Sequence, residues 1–178
     1  MCIRDSLIAE HKVDIKAVWY DGTESEKSLS FVLKPSSVLP RRVFLSELKP
    51  LFATAGWSTP NYNHSLNGAE LSIAGRKFKK GIGTHAPSKI KYYLGGAFTH
   101  FKSWVGIDDE TGGKGSVVFR ILGDGRVLWE SGKMKAGQIK QVKVNLSGVK
   151  ILSLEVTDAG DGKDFDHADW ANPLLTRE

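Results

Sequence analysis

Acidic side chains gather in two short stretches. Asp108, Asp109 and Glu110 follow an apolar run ending at Ile107 and precede Gly112-Gly113, while Asp158, Asp161, Asp164, Asp166 and Asp169 crowd into twelve residues with Gly160 and Gly162 among them. Carboxylates at such density repel one another unless a cation, a lysine or a polar ligand lies between them. Calcium is the natural ion, being hard and taking about six to eight oxygens from flexible loops. Asp158, Asp161 and Asp169 are its candidate ligands. The spacing is not that of the helix-loop-helix calcium site, because it lacks a terminal Glu and follows a strand-like run. The competing reading is a solvated acidic loop whose side chains cap turns. Glycoside hydrolysis also uses two carboxyl groups, about 5–10 Å apart, and Asp109 with Asp166 offers such a pair. A chain of 178 residues built from short strands leaves little depth for a substrate cleft, and no catalytic residue is assigned.

Imidazoles and indoles supply the other chemistry. His85 stands in Gly81-Ile82-Gly83-Thr84-His85-Ala86, where small neighbours leave its ring accessible, and His167 stands between Asp166 and Ala168. Imidazole nitrogens and carboxylates both hydrogen-bond well to hydroxyls; a histidine satisfied by its own backbone is the alternative for each. Five tryptophans are many for this length, and a flat apolar face with a polar edge suits the C–H patch of a pyranose ring. Trp57 beside Gly56 and Trp170 beside Asp169 read as loop residues and as sugar contacts. Trp104 and Trp129 fall in strand-like runs and read as core. Motifs of serine hydrolases, phosphate-binding glycine loops and metalloproteases are absent.

The elements that must carry these groups read as strands. Ile90, Tyr92 and Leu94 alternate with Lys91 and Tyr93, the period of a strand with one face on a core. Similar runs recur at 71–74, 101–107, 116–122, 126–129, 142–146 and 151–156. Val117 to Leu122, then Gly123-Asp124-Gly125, then Arg126 to Trp129 reads as a hairpin, because Asp-Gly accepts the positive backbone angles of a tight turn. Helix signals are nearly absent, so the expected fold is all-β, an antiparallel sandwich. Weaker strand signals at 13–20 and 31–33 flank Asp21-Gly22, and Pro35 and Pro40 bracket a stretch that reads as a boundary. The expected organisation is a flank, residues 1–40, ahead of a module at 41–178. The opening Met-Cys-Ile-Arg-Asp-Ser resembles an adapter-derived leader, and the rest of the flank reads as the tail of a preceding β-rich domain.

Composition narrows the function classes. A chain with 40% hydrophobic and 25% charged residues can build a core and is neither disordered nor coiled coil. No run approaches the roughly 20 apolar residues of a membrane-spanning helix, so no membrane insertion is expected. The first 20 residues carry charges where a signal peptide has an apolar centre. Cys2 is the only cysteine, which excludes an internal disulfide and a thiolate zinc site. Lys and Arg outnumber Asp and Glu by 25 to 20. The excess centres on Arg76, Lys77, Lys79 and Lys80 around Phe78, a cluster too short for nucleic-acid binding, and it reads as a solvated face.

Taken in order, Val43-Phe44-Leu45-Ser46-Glu47-Leu48-Lys49-Pro50, Gly56-Trp57, Lys80-Gly81-Ile82-Gly83-Thr84-His85-Ala86, Val105-Gly106-Ile107-Asp108-Asp109-Glu110, Gly115-Ser116-Val117-Val118-Phe119 and Asp166-His167-Ala168-Asp169-Trp170-Ala171 strongly resemble the NPCBM domain. That family is also classed as carbohydrate-binding module family 51, and the resemblance covers about residues 43–172. It implies a discoidin-like (galactose-binding-like) β-sandwich, non-catalytic, that binds terminal galactose-type glycans through loops at one end and often carries a structural calcium ion. It also implies covalent linkage to further domains of a bacterial glycosidase or related surface enzyme, working extracellularly, in the periplasm or at the cell surface. The positions that carry over as site candidates are His85, Asp109, Glu110, His167, Asp169 and Trp170, and Trp57 joins the sugar-contact set. Two positions depart from the family pattern: Asn63, where Asp is usual, and Asn172, where an acidic residue is usual. Both departures remove carboxylates that a cation would use. A structural or protein-interaction sandwich without sugar binding is the alternative.

Overall fold

In the computed structural model of the chain, residues 9–18, 24–33 and 40–177 are described, and the chain divides into two units, Met1–Pro40 and Arg41–Glu178. In the first, β1 (Ala9–Val18) pairs antiparallel with β2 (Glu24–Leu33), Ala9 opposite Leu33 and Val18 opposite Glu24. The strand expected over 13–20 begins earlier, and 31–33 is the end of a longer one. Tyr20, the Asp21-Gly22 turn, Pro35 and the opening six residues lie outside the described residues.

The second unit is built from β3 (Arg42–Phe44), β4 (Phe52–Thr54), β5 (Asn61–Tyr62), β6 (Leu71–Ile73), β7 (Arg76–Phe78), β8 (Gly81–His85), β9 (Ser88–Tyr93), β10 (His100–Ile107), β11 (Ser116–Gly123), β12 (Arg126–Lys135), β13 (Ile139–Asn145), β14 (Ile151–Thr157) and β15 (His167–Thr176). One sheet runs β13-β10-β15-β8-β5, with β3 also on β15; the other runs β12-β11-β14-β9-β4, and every pairing is antiparallel. β6 and β7 form a separate two-stranded hairpin. Alternation of apolar and polar residues places Ile90 and Tyr92 of β9 and Val117, Phe119 and Ile121 of β11 on one inner face. Phe101, Val105 and Ile107 of β10 and Trp170 of β15 supply the other. The Asp124-Gly125 turn has φ of 49° and 83°, the primed geometry that matches strand twist, so the β11–β12 hairpin forms as expected.

The strand with the least legible sequence is β15. It is central, between β10 and β8, and Ala168 to Ala171 are buried one after another, so no alternation marks its first half. Its two halves have different partners: His167–Ala171 pair with β8, and Leu174–Thr176 pair with β3. Asn172-Pro173 sits at the change, where Asn172 has φ of 49° and the register against β10 shifts between Lys102 and Trp104. A proline is tolerated there because the ladder is already interrupted. Ser103 Oγ donates to the Ala171 carbonyl at 2.9 Å and closes the gap.

Trp170, expected in a loop, is instead fully buried in this strand. Its indole meets the edge of Phe119 at 5.1 Å between centroids. Trp129 packs partly against the core as expected. Trp104 likewise packs, half-buried, against the smaller core cluster of Leu71, Ile73, Phe78 and Ala171. The Arg76 guanidinium lies 4.4 Å over its ring, so the basic cluster is partly an aromatic-stacked one.

Candidate functional site

Antiparallel pairing of β8 with β15 puts His85 directly opposite His167, and directly opposed side chains touch. The ring centroids are 5.4 Å apart. The chain after β4 returns alongside, with Gly56 N–H donating to the His85 carbonyl at 3.0 Å. That contact sets Trp57 over both imidazoles, at 6.0 Å from each. Trp57 is 59% exposed, so its indole presents a face to solvent. These three rings, with Lys163, Asp164 and Phe165, line a recess of about 470 Å³. That falls within the range of about 300–1,000 Å³ usual for small-ligand pockets.

Both imidazoles are oriented by the protein. His85 Nδ1 lies 2.6 Å from the Ala86 carbonyl, which can only accept, so Nδ1 carries the proton and Nε2 is left as an acceptor. Burial lowers the His85 pKa despite that carbonyl, so the ring is neutral at pH 7. His167 Nδ1 donates to Glu110 Oε1 at 2.7 Å, and the other carboxylate oxygen accepts from Ser65 Oγ at 2.6 Å. Glu110 belongs to a short 3-10 turn, Asp109–Thr111, whose N-terminus is capped by the Asp108 carboxylate accepting from Glu110 N–H at 2.8 Å. The site therefore offers a flat apolar face, two nitrogens in fixed orientation and a carboxylate that holds one of them. Such a set can stack on a sugar ring and bond its hydroxyls.

The structure redistributes the expected site residues. Trp57, His85 and His167 line the recess, and Glu110 acts through His167. Asp109 does not join them: its carboxylate accepts from Ser72 Oγ at 2.6 Å, Gly75 N–H at 2.8 Å and Ala74 N–H at 2.9 Å, clamping the β6–β7 turn. Trp170 cannot touch a ligand, because it is 0% exposed. Asp109 and Asp166 also belong to different clusters, since Asp166 accepts from Ser116 N–H at 2.9 Å. Phe165 and Lys163 were not singled out by sequence reasoning, and Asp164 only as one of the five clustered acids. An aromatic ring between acidic residues in a glycine-bearing loop was the available signal.

Asp158, Asp161 and Asp169 are not brought together as one group. Asp161 bonds Ser116 Oγ at 2.7 Å and pairs with Lys133, and Asp158 accepts from its own Gly160 N–H at 3.1 Å. Asp169 is buried elsewhere, on β15. Burial, and then the neighbouring Asp108 carboxylate, holds its carboxyl well above the usual range. No group of three His, Cys, Asp or Glu side chains among the described residues is arranged to hold a metal ion. Asn63 and Asn172 serve the backbone: both have positive φ, and their N–H groups donate to the Gly81 and Lys80 carbonyls at 2.7 and 2.8 Å. Asparagine tolerates that conformation better than most residues.

Comparison with known proteins decides the family. The model of the NPCBM/NEW2 domain matches residues 41–176. The chain belongs to the NPCBM/NEW2 family. Its structure superposes with a TM-score of 0.72 on the family 51 carbohydrate-binding module of a Clostridium perfringens family 95 glycoside hydrolase, solved with methyl-galactose. The two are 34% identical, over 76% of this chain and 99% of that one. A second C. perfringens module of family 51, solved with N-acetylglucosamine and INT domains, gives a TM-score of 0.72 at 29% identity over 97% of this chain and 39% of that one. In sequence, the NPCBM/NEW2 module is 37% identical over 115 residues to an alpha-1,3-galactosidase B of Akkermansia muciniphila, covering 62% of this chain. The chain spans 14% or less of the length of the curated relatives it matches. The solved relatives are carbohydrate-binding modules, a non-catalytic class.

Proposed function

We propose that the NPCBM/NEW2 module binds terminal galactose-type glycans in the recess of Trp57, His85 and His167, without turning them over. By doing so it holds an attached bacterial glycosidase or related enzyme near its substrate outside the cell. The observation that carries this reading is the exposed Trp57 indole standing over two imidazoles whose Nδ1 atoms are already bonded to the protein. A sugar stacked on the indole meets the imidazole nitrogens without a conformational search, which lowers the entropic cost of binding. The likeness to a module solved with methyl-galactose supports the choice of sugar. One stacked ring and a few hydrogen bonds give weak affinity for a monosaccharide, so useful retention on a surface comes from avidity.

Calorimetric titration of the folded protein with methyl β-galactoside tests the reading. Saturable binding is expected, with a loss of about tenfold or more in Trp57→Ala and an unchanged melting temperature, since the indole is largely outside the core. A folded wild type that binds no galactoside, or a Trp57→Ala protein that binds as the wild type does, rules it out.

A further inference from the structure

Among the residues lining the recess stands one with an unusual set of properties. Phe165 is 48% exposed, yet its backbone is held in the left-handed region, at φ of 65°. A bulky residue there is a conformational outlier, sustained only where the surroundings enforce it. They do so here. The Phe165 carbonyl accepts from His167 N–H at 2.9 Å, and Asp166, next in the chain, is fixed on both sides, its carbonyl by Ala86 N–H at 3.0 Å and its carboxylate by Ser116 N–H at 2.9 Å. Gly115 makes room for the arrangement: a Cβ there would stand 2.3 Å from the Phe165 carbonyl oxygen. The Lys114 ammonium lies 4.6 Å over the phenyl ring, so a cation covers it on that side.

An exposed aromatic ring costs free energy in water, and a strained backbone adds to that cost. Phe165 carries both without contributing to the core. Phe165 and Trp57 both line the recess. Trp57 contacts the imidazoles that would bond a terminal sugar, whereas Phe165 follows Lys163 and Asp164, exposed polar residues of a surface loop. We propose that Phe165 is a second apolar platform, which stacks on the sugar ring next to the terminal one and makes the site selective for a glycan of at least two rings over a monosaccharide. This inference rests on the sugar-binding reading above and assigns a second platform in the same recess.

The test compares affinities for methyl β-galactoside with those for lactose, N-acetyllactosamine and α-1,3-galactobiose. For the wild type, at least one disaccharide is expected to bind about tenfold more tightly than the monosaccharide. Phe165→Gly removes the ring and relieves the left-handed strain, so the protein keeps its fold. It is expected to bind the monosaccharide as the wild type does and to lose the disaccharide advantage, whereas Phe165→Tyr restores it. Equal wild-type affinity for all four ligands overturns the inference, as does an equal loss of both ligand types in Phe165→Gly. A wild type that binds none of them overturns the sugar-binding reading, and this inference falls with it.

Discussion

The two acidic loops look alike in composition and do opposite work. The first, Asp108 to Glu110, follows β10 of the six-stranded sheet, and each of its carboxylates has donors waiting. Asp108 accepts from Ser72 and Glu110 N–H, Asp109 from the β6–β7 turn, and Glu110 from Ser65 and His167. These bonds bind the separate hairpin to the sandwich and set one imidazole of the recess. The second loop, residues 158–166, follows β14 of the five-stranded sheet. Asp158 caps its own turn, Asp161 pairs with exposed Lys133, and Asp166 has one oxygen bonded and the other buried without a partner. What separates them is the segment opposite: a turn with free N–H groups and hydroxyls makes scaffold of all three acids of the first loop, whereas in the second Asp161 and Asp166 share one partner residue, Ser116, and Asp158 bonds only within its own turn.

The contrast is broken most severely at Asp108. It is buried and accepts two backbone N–H bonds, from Glu110 at 2.8 Å and Ser72 at 3.1 Å. Charge-assisted bonds of this kind contribute about 1.5–3 kcal/mol each, and their removal leaves backbone donors unpaired. Relief of repulsion with the neighbouring Asp169 offsets part of that loss. Asp108→Ala is therefore expected to lose about 2–3 kcal/mol, readable by urea unfolding. A loss below about 0.5 kcal/mol, the scale of an ordinary surface change, would mean that this loop is no more structural than the other.

Glu110 tests the link from scaffold to site. Without its carboxylate the His167 ring has no fixed acceptor for Nδ1, and the cost falls on ligand affinity more than on folding. Glu110→Ala is expected to bind methyl β-galactoside about tenfold more weakly. Glu110→Gln retains an oxygen acceptor and is expected to stay within about threefold of the wild type. Equal affinities in all three proteins would detach Glu110 from the site.

These differences explain what could be read from the chain alone. Strands β9, β11 and β14 were legible because each has one clear inner face, so hydrophobic residues recur with period two. Central β15 was not, because four residues in a row are buried, Asp169 among them, and it changes partner at Asn172-Pro173. That is why Trp170 read as a loop residue when it is core. The pairing of His85 with His167 depends on the register of two strands more than 80 residues apart in the chain, which no local pattern encodes. The chemical types at the site were legible, since Trp57 and both histidines stood out. Their grouping, and the exclusion of Asp109, came only from knowing which donors each side chain meets.

The smallest expected effect sharpens the second loop. Burial, set against a bond from Ser116 N–H and aided by the charges of Asp161, Asp158 and Asp164, raises the Asp166 pKa to about 6. An unfolded aspartate titrates near 3.9. Between these values the native state holds a proton that the unfolded chain has released, so stability falls as pH rises. The contribution is fully present below pH of about 4 and is gone once pH passes through about 6. Above that, the folded protein carries a poorly solvated charge with one oxygen unbonded. Asp166→Asn keeps an acceptor for Ser116 N–H and has no charge to bury. It is expected to be more stable than the wild type by about 1 kcal/mol at pH 7.5, after discounting for solvent screening from the open hollow that it lines with Asp161 and Asp164, and equal to it at pH 4. A stability gap that is the same at both pH values would show that the acids of this loop are as well accommodated as those after β10.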